Sequence, residues 1–414
     1  MNITIISAVF PPEPVISAQT SYDIALELSH QSHNVKVVTS FPNRPEGKLF
    51  PGYSRKLVHK ENHENKFNLI RCFSFFSKES SIISRTVENI SFGFISGLYL
   101  FFSKKPDLIY SNTWPIFASS IVRFIATIRR IPLIISIQDV YPESLVVQSR
   151  ISTSSIVTKL LTKIDAWIVK GSQRVITISK SFAEIYQKSR GITEEKVKVI
   201  PNWIDENSIE LVSKNQFRKE IGISIDAFVI VYAGNIGVAA GLEKLINALE
   251  NLKSRKEFSL IVAGSGSQLN LCKILANKID SVKIIFHSPW LMEETSKVLA
   301  SSDLLLLPTS GNQSMVSVPS KLISYMLASR PVLAICDHNS EIARTIKSSD
   351  CGWVLQPEKL YEVNNMIETI INLPEPALRQ KGESGREYAL KNFTSEVCLP
   401  KVIDLINSVL PKKR

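Results

Sequence analysis

Four short stretches in the second half of the chain place small residues after an apolar run: Gly234-Asn235-Ile236-Gly237, Gly264-Ser265-Gly266, Ser310-Gly311-Asn312 and Val318-Pro319-Ser320-Lys321. Small residues let a ligand approach the backbone, and free N–H groups bond phosphate oxygens. Lys321 adds a cation at a helix start, with Ser320 as its N-cap. That position suits the helix dipole poorly and a phosphate well. One nucleotide diphosphate could touch all four stretches. Taken singly, Ser-Pro-Ser also fits an ordinary loop-to-helix start, and Lys321 a solvated charge.

The first half offers carboxylates instead. Gln138-Asp139 directly follows the apolar run Leu133–Ile137, and Glu143 comes next at helical spacing. Asp139 and Glu143 could hold a sugar hydroxyl; alternatively Asp139 caps the helix that follows. His59 and His63 have a metal-like spacing but stand in a polar loop without a third ligand, so they read as surface residues. His33 reads as structural. There is no DxD triplet, and no metal site is expected.

These groups need strands to carry them. Ile3–Val9, the loop Phe10–Pro14, the helical pattern Tyr22–His30 and the strand Val35–Thr39 make a βαβ opening, which predicts a parallel sheet. Leu108–Tyr110, Leu133–Ile137 and Val175–Ile178 continue it as buried strands. Asn43–Glu64 is polar and reads as a long surface loop. After Pro201–Asp205 the rhythm restarts, with strands at Phe228–Ala233, Leu260–Ala263, Val282–Phe286, Leu304–Leu307 and Val332–Ile335, and helices at Leu242–Leu252 and Lys321–Leu327. The expected division is 1–205, 206–390, and a helical tail 391–414 packing back toward the first domain, with a helix break near Pro400. The fold class is α/β: two Rossmann-like, doubly wound parallel-sheet domains facing a cleft.

With 414 residues and 44% hydrophobic content, two domains with full cores are expected. The five cysteines form no CxxC pair, which fits reduced thiols in a cytoplasmic protein. Asn2–Val9 runs straight into a proline-rich turn, without the features of a secretory leader. The net charge is +11, and it is uneven: residues 1–205 hold 25 lysines and arginines against 16 acidic residues, the rest 24 against 22. A nucleic acid, an anionic membrane or an anionic substrate could use that excess. No nucleic-acid module is legible, and none is expected as partner. Ile90–Phe102 is the most apolar run, well short of the ~20 residues of a membrane span. It fits a buried helix, or one that docks on a bilayer beside Lys104 and Lys105.

Six segments resemble the GT-B glycosyltransferases, and within them the large retaining family 4: FPPEP (10–14), QDVYPES (138–144), PNWID (201–205), YAGNIG (232–237) with GLE (241–243), DLLLLP (303–308) and VPSKLISYMLASRPVLA (318–334). The resemblance is strongest to transferases of O-antigen, capsule and colanic-acid assembly, including those of N-acetylfucosamine-type sugars. It implies that a UDP-sugar or similar donor binds the second domain through Gly234, Asn235, Gly237, Gly264, Gly266, Ser310, Asn312, Pro319, Ser320, Lys321 and Ser324. It implies a polyprenyl-diphosphate-linked saccharide acceptor at Pro14, Ser17 and Gln138 of the first, with Asp139 and Glu143 as the catalytic pair. The nucleotide sugar is a co-substrate, and no cofactor is expected. The enzyme is then expected at the inner face of the cell membrane, bound peripherally to its anionic surface.

The sequence departs from the family in places. Val15-Ile16-Ser17 replaces a Gly-Gly, Gln138 a histidine, Asn235 and Ala240 an arginine and a lysine, and Val316 and Ser324 a pair of glutamates. Lys321 is then the clear cation left to face a diphosphate. Departure of a nucleoside diphosphate develops negative charge, which a cation and helix-end N–H groups stabilise without a metal. A nonhydrolysing sugar-nucleotide epimerase shares the tandem architecture. A nucleotide-sugar-binding protein without turnover would also tolerate the missing glutamates. An oxidoreductase fits poorly, because FPPEP stands where a GxGxxG turn would be.

Overall fold

The computed structural model describes the chain apart from residues 45–46, 64–65, 78–80, 113–115, 149, 252–257, 317–319 and 412–414. Two compact units emerge, one of Met1–Trp203 with Glu396–Arg414, the other of Ile204–Ser395.

The first unit is built on eight strands: β1 (Asn2–Ser7), β2 (Asn34–Ser40), β3 (Val58–His63), β4 (Phe67–Cys72), β5 (Leu108–Asn112), β6 (Leu133–Ile137), β7 (Arg174–Thr177) and β8 (Val197–Val199). Their order is β3-β4-β2-β1-β5-β6-β7-β8. All pairs are parallel except β3 with β4. The inner strands are apolar on both faces because helices cover both. The strand β3 corrects the expectation of one long polar loop at 43–64. As an edge strand it alternates exposed and half-buried residues, so its sequence VHKENH carries no apolar run.

The second unit is a parallel sheet of β9 (Phe228–Ala233), β10 (Phe258–Ala263), β11 (Lys283–His287), β12 (Leu304–Pro308), β13 (Val332–Ile335) and β14 (Gly352–Leu355). Its order, β11-β10-β9-β12-β13-β14, is that of the doubly wound dinucleotide-binding fold. The strand order reverses between β9 and β12 here, and between β1 and β5 in the first unit. In open sheets of this kind ligands bind at such points, beyond the carboxyl ends of the strands.

The last helices also differ from expectation. The break falls at Phe393–Thr394, between helices Glu375–Asn392 and Ser395–Val409, and Pro400 lies inside the second. Phe393 accepts the Ile204 N–H at 3.0 Å, which ties this break to the start of the second unit. Helix Ser395–Val409 buries Cys398, Val402, Ile403 and Ile406 with Ile3, Ile5 and Leu108 in one core of the first unit. All five cysteines are buried and free. Among the described residues, no helix is long and apolar enough to cross a membrane.

Candidate functional site

At the end of β9 the chain turns through Gly234–Gly237, and at the end of β10 through Gly264–Gly266. The two loops are laced together: Gly234 N–H donates to Ala263 O at 2.9 Å, Ile236 N–H to Ser265 O at 2.8 Å, and Gln268 N–H to Ile236 O at 2.9 Å. Gly264 has φ +143°, and a Cβ there would stand 1.9 Å from Gly234 O, so only glycine allows the loops to meet. The Asn235 side chain folds over Gly237 and Gly266.

Lys321 reaches into this arrangement from helix Lys321–Leu327. A Cβ at Gly234 would meet its Cε at 2.4 Å. Its ammonium donates to the Tyr232 hydroxyl at 2.6 Å and lies 4.4 Å from the centre of that ring. The Tyr232 hydroxyl in turn donates to Asn235 O at 2.5 Å. Burial drives Lys321 down to about 8 from the usual lysine range and pushes the Tyr232 phenol up. Among the described residues no carboxylate pairs with Lys321. Tyr325 fastens the same helix to β9: its hydroxyl accepts Ala233 N–H at 2.9 Å and donates to Ala233 O at 3.0 Å.

Ser320 precedes this helix in a helical conformation and makes no side-chain capping bond, which corrects its expected role as N-cap. The lysine therefore carries the positive charge here. Pro319 lies outside the described residues. Ser310 joins the group from β12, donating its N–H to Ala239 O at 2.9 Å. Beside it opens a pocket of about 210 Å³, lined by Gly241, Lys244, Thr309, Ser310 and Glu358 among others. Asn312 is exposed and Ser324 half-buried; neither makes a side-chain hydrogen bond to these loops. Val316 is buried. Asp303, which opens the DLLLLP segment, is structural: it accepts from Arg218 at 2.6 Å and from Val229 N–H at 2.8 Å.

In the first unit, Gln138 lies at the end of β6. Its amide donates to Asn112 Oδ1 at 2.9 Å and accepts from Asn202 at 2.8 Å. Asn112, at the end of β5, donates to Ser17 O at 3.1 Å and Ser21 Oγ at 2.8 Å. Gln138 and Ser17 are thus linked through Asn112 across the reversal point. Pro14 is exposed next to them in sequence, after Glu13. The buried Glu13 carboxylate accepts N–H groups of Phe10, Asn43 and Arg44 at 3.0–3.2 Å. Burial raises that carboxyl, and the three N–H groups work against the rise.

Asp139 is not a helix cap. The helix Glu143–Val147 starts from Pro142 without a side-chain capping bond. No described residue hydrogen-bonds the Asp139 carboxylate, and burial pushes it up to about 7. It borders a void of about 20 Å³ shared with Tyr141, Asp165 and Tyr186, room for about one water. Glu143 is placed differently. Both its oxygens accept from Arg190, at 2.5 and 2.7 Å. The same guanidinium donates to Asp165 at 2.8 Å and Tyr141 O at 2.7 Å. Burial works against the Arg190 charge, yet Glu143 and Asp165 hold it above its ordinary range. The paired carboxylates expected at 139 and 143 therefore divide: Asp139 stands free, and Glu143 neutralises a buried arginine.

His59 and His63 share the half-buried face of β3, where His63 stacks on Phe67 with ring centres 4.9 Å apart. Among the described residues no group of three His, Cys, Asp or Glu side chains is placed to hold a metal ion.

Residues 17–208 match the family described as Glycosyltransferase Family 4, and residues 213–388 that described as Glycosyl transferases group 1. The chain belongs to the family 4 glycosyltransferases. This glycosyltransferase is 23% identical over 349 residues to "Probable glycosyltransferase WbjE" of Pseudomonas aeruginosa, covering 83% of this chain and 85% of that one. It is 22% identical over 412 residues to "Putative colanic acid biosynthesis glycosyl transferase WcaI" of Escherichia coli (strain K12), covering 98% and 99%. In fold it is similar to HepE of Anabaena, solved in complex with UDP, with a TM-score of 0.69, 15% identity, and coverage of 99% and 100%. The two sheets are those of the GT-B fold.

Proposed function

We propose that this glycosyltransferase moves a sugar, with retention, from a UDP-sugar to a lipid-linked saccharide during assembly of a surface polysaccharide such as O-antigen or capsule. The observation that carries the donor half is Lys321, a desolvated cation without a carboxylate partner among the described residues, held by Tyr232 against the Gly234 loop. A diphosphate supplies the missing charge. UDP is favoured by the fold relative solved with it, and polysaccharide assembly by the names of WcaI and WbjE.

As the sugar C1–O bond breaks, negative charge gathers on the departing diphosphate. Lys321 and the N–H groups of the glycine loops neutralise it, so the step runs without a metal. Asp139 serves the acceptor side, close to Gln138 and Ser17, where its free carboxylate can take the acceptor hydroxyl proton. Lipid-linked acceptors would bring the enzyme to the inner face of the cell membrane as a peripheral protein.

A thermal-shift screen of UDP, GDP and dTDP, followed by transfer of labelled sugar to a lipid-linked acceptor, tests this. UDP is expected to raise the melting temperature most, and transfer to proceed in chelator with the anomeric configuration kept. An epimerised UDP-sugar formed without acceptor would overturn transfer in favour of epimerisation. Donor binding without any turnover would leave a binding protein.

A further inference from the structure

Helix Ile82–Phe102 starts at Ser81, whose side chain accepts the Ser84 N–H at 3.1 Å. One face is pressed against helix Ile116–Ile128 through Gly93 and Gly97. A Cβ on Gly93 would stand 2.7 Å from Ala118 Cα, so the glycines set the close approach. Elsewhere on this helix Ile83, Val87, Ile90, Phe94, Leu98 and Phe102 recur every three or four residues, 42–80% exposed. Phe124 and Ile128 on helix Ile116–Ile128 are exposed as well, as are Ile156, Val157 and Leu160 on helix Ile156–Gly171. Scattered exposed apolar residues are ordinary, but a helix-long stripe marks a contact surface.

The stripe ends in an open groove of about 560 Å³, within the range of ligand sites. Leu57, Leu98 and Phe102 line it together with Lys36, Lys60 and Lys104, and no acidic side chain does. Lys36 lies 5.4 Å from the centre of the Tyr99 ring. Burial, with Lys60 and Arg129 nearby, pulls its ammonium below the usual lysine range. Among the described residues, no carboxylate pairs with any of the three lysines. Like charges converging without a counter-ion beside apolar side chains call for an anion that carries a hydrocarbon chain. A second copy of this protein would bring the same cations and be repelled.

We propose that this groove seats an anionic phospholipid of the membrane leaflet, its phosphate between Lys36, Lys60 and Lys104 and an acyl chain along Leu98 and Phe102. The apolar stripe then lies in the plane of the membrane surface. This site is separate from the transfer chemistry, and UDP binding does not depend on it.

The full chain is titrated with soluble dioctanoyl phosphatidylglycerol, dioctanoyl phosphatidylcholine and inorganic phosphate, and floated with vesicles containing or lacking phosphatidylglycerol. Saturable binding of the glycerol lipid is expected, with the choline lipid and free phosphate much weaker. Lys36→Gln/Lys60→Gln/Lys104→Gln should lose about fivefold per lysine at low salt, about a hundredfold in all, and less as salt screens the charges. Phe102→Ser should weaken both lipid and vesicle binding. Unchanged UDP binding in each variant confirms that it is folded. Equal binding of the two lipids, free phosphate competing as well as lipid, or a triple variant that binds like the wild type would each overturn the proposal.

Discussion

Replacing Lys321 with methionine keeps most of the side-chain volume and removes the charge. A charge-assisted contact to phosphate contributes about 1.5–3 kcal/mol, so UDP affinity should fall between roughly tenfold and 150-fold. The pH dependence is the sharper test. Burial brings the Lys321 ammonium down to about 8. In the free enzyme the charged fraction then drops from roughly nine-tenths at pH 7 to roughly one-tenth at pH 9. Because the ammonium is the form that binds the anion, wild-type affinity should fall about tenfold across that window. The methionine variant should show almost no change. Calorimetric titration with UDP in magnesium-free buffer, at pH 7, 8 and 9, gives both numbers. Parallel pH profiles for the two proteins would refute Lys321 as the diphosphate cation, even if the variant bound weakly for other reasons.

The same shift makes a statement about stability. The folded-state value lies below the ordinary lysine value of 10.5, so folding penalises the charged form. That penalty is fully present below about pH 8 and is relieved as pH rises from there toward the unfolded value. Lys321→Met should therefore melt higher than wild type at pH 7, with the gap closing near pH 10. A variant that melts lower at pH 7 would mean that the Tyr232 contact outweighs the burial cost.

Three further outcomes follow from the geometry. Asp139→Asn removes a carboxyl that burial raises to about 7; if it takes the acceptor proton, kcat should fall about 10²–10⁴-fold, the wild-type rate should rise through pH 7, and a variant with the wild-type rate would end that role. Arg190→Met leaves Asp165 and Glu143 without their shared partner and should cost about 3–5 kcal/mol in urea unfolding, whereas Glu143→Gln, which leaves the Asp165 contact at 2.8 Å in place, should cost clearly less. Gly264→Ala forces a Cβ against Gly234 O and should lose both UDP binding and about 2 kcal/mol or more of stability, measured by thermal shift with and without UDP.

How far the fold was legible depended on burial. Strands covered on both faces are unbroken runs of Val, Ile and Leu, and β6, β9 and β13 stand where those runs do. So does helix Lys321–Leu327, bounded by a serine before it and Ala-Ser-Arg-Pro after it. The strand β3 was hidden because an edge strand half in water has no apolar run to read. The break at Phe393 was hidden because its cause is a backbone bond to Ile204, not a proline. In the site, residue types and spacing located the glycine loops and Lys321. The grip of Tyr232 on Lys321 spans 89 residues, and that of Arg190 on Glu143 spans 47. No local pattern announces either.

Those two grips differ in a way that bears on where charge can be accepted. Arg190 is surrounded by Glu143, Asp165 and the Tyr141 carbonyl, which leave it no capacity for another anion. Arg218 in the second unit is likewise taken up by Asp303 and backbone carbonyls. Lys321 has a phenol and an aromatic face for partners, neither of them charged. A desolvated cation held this way is stable enough to fold and incomplete enough to bind, since a ligand anion repays the burial that the protein alone does not. Asp139 is the mirror case in the first unit, a desolvated carboxyl without a cation, suited to a neutral hydroxyl and its proton rather than to a phosphate. On the proposed chemistry, the anionic donor goes to the one and the uncharged acceptor hydroxyl to the other, which is the division of labour that a sugar transfer requires.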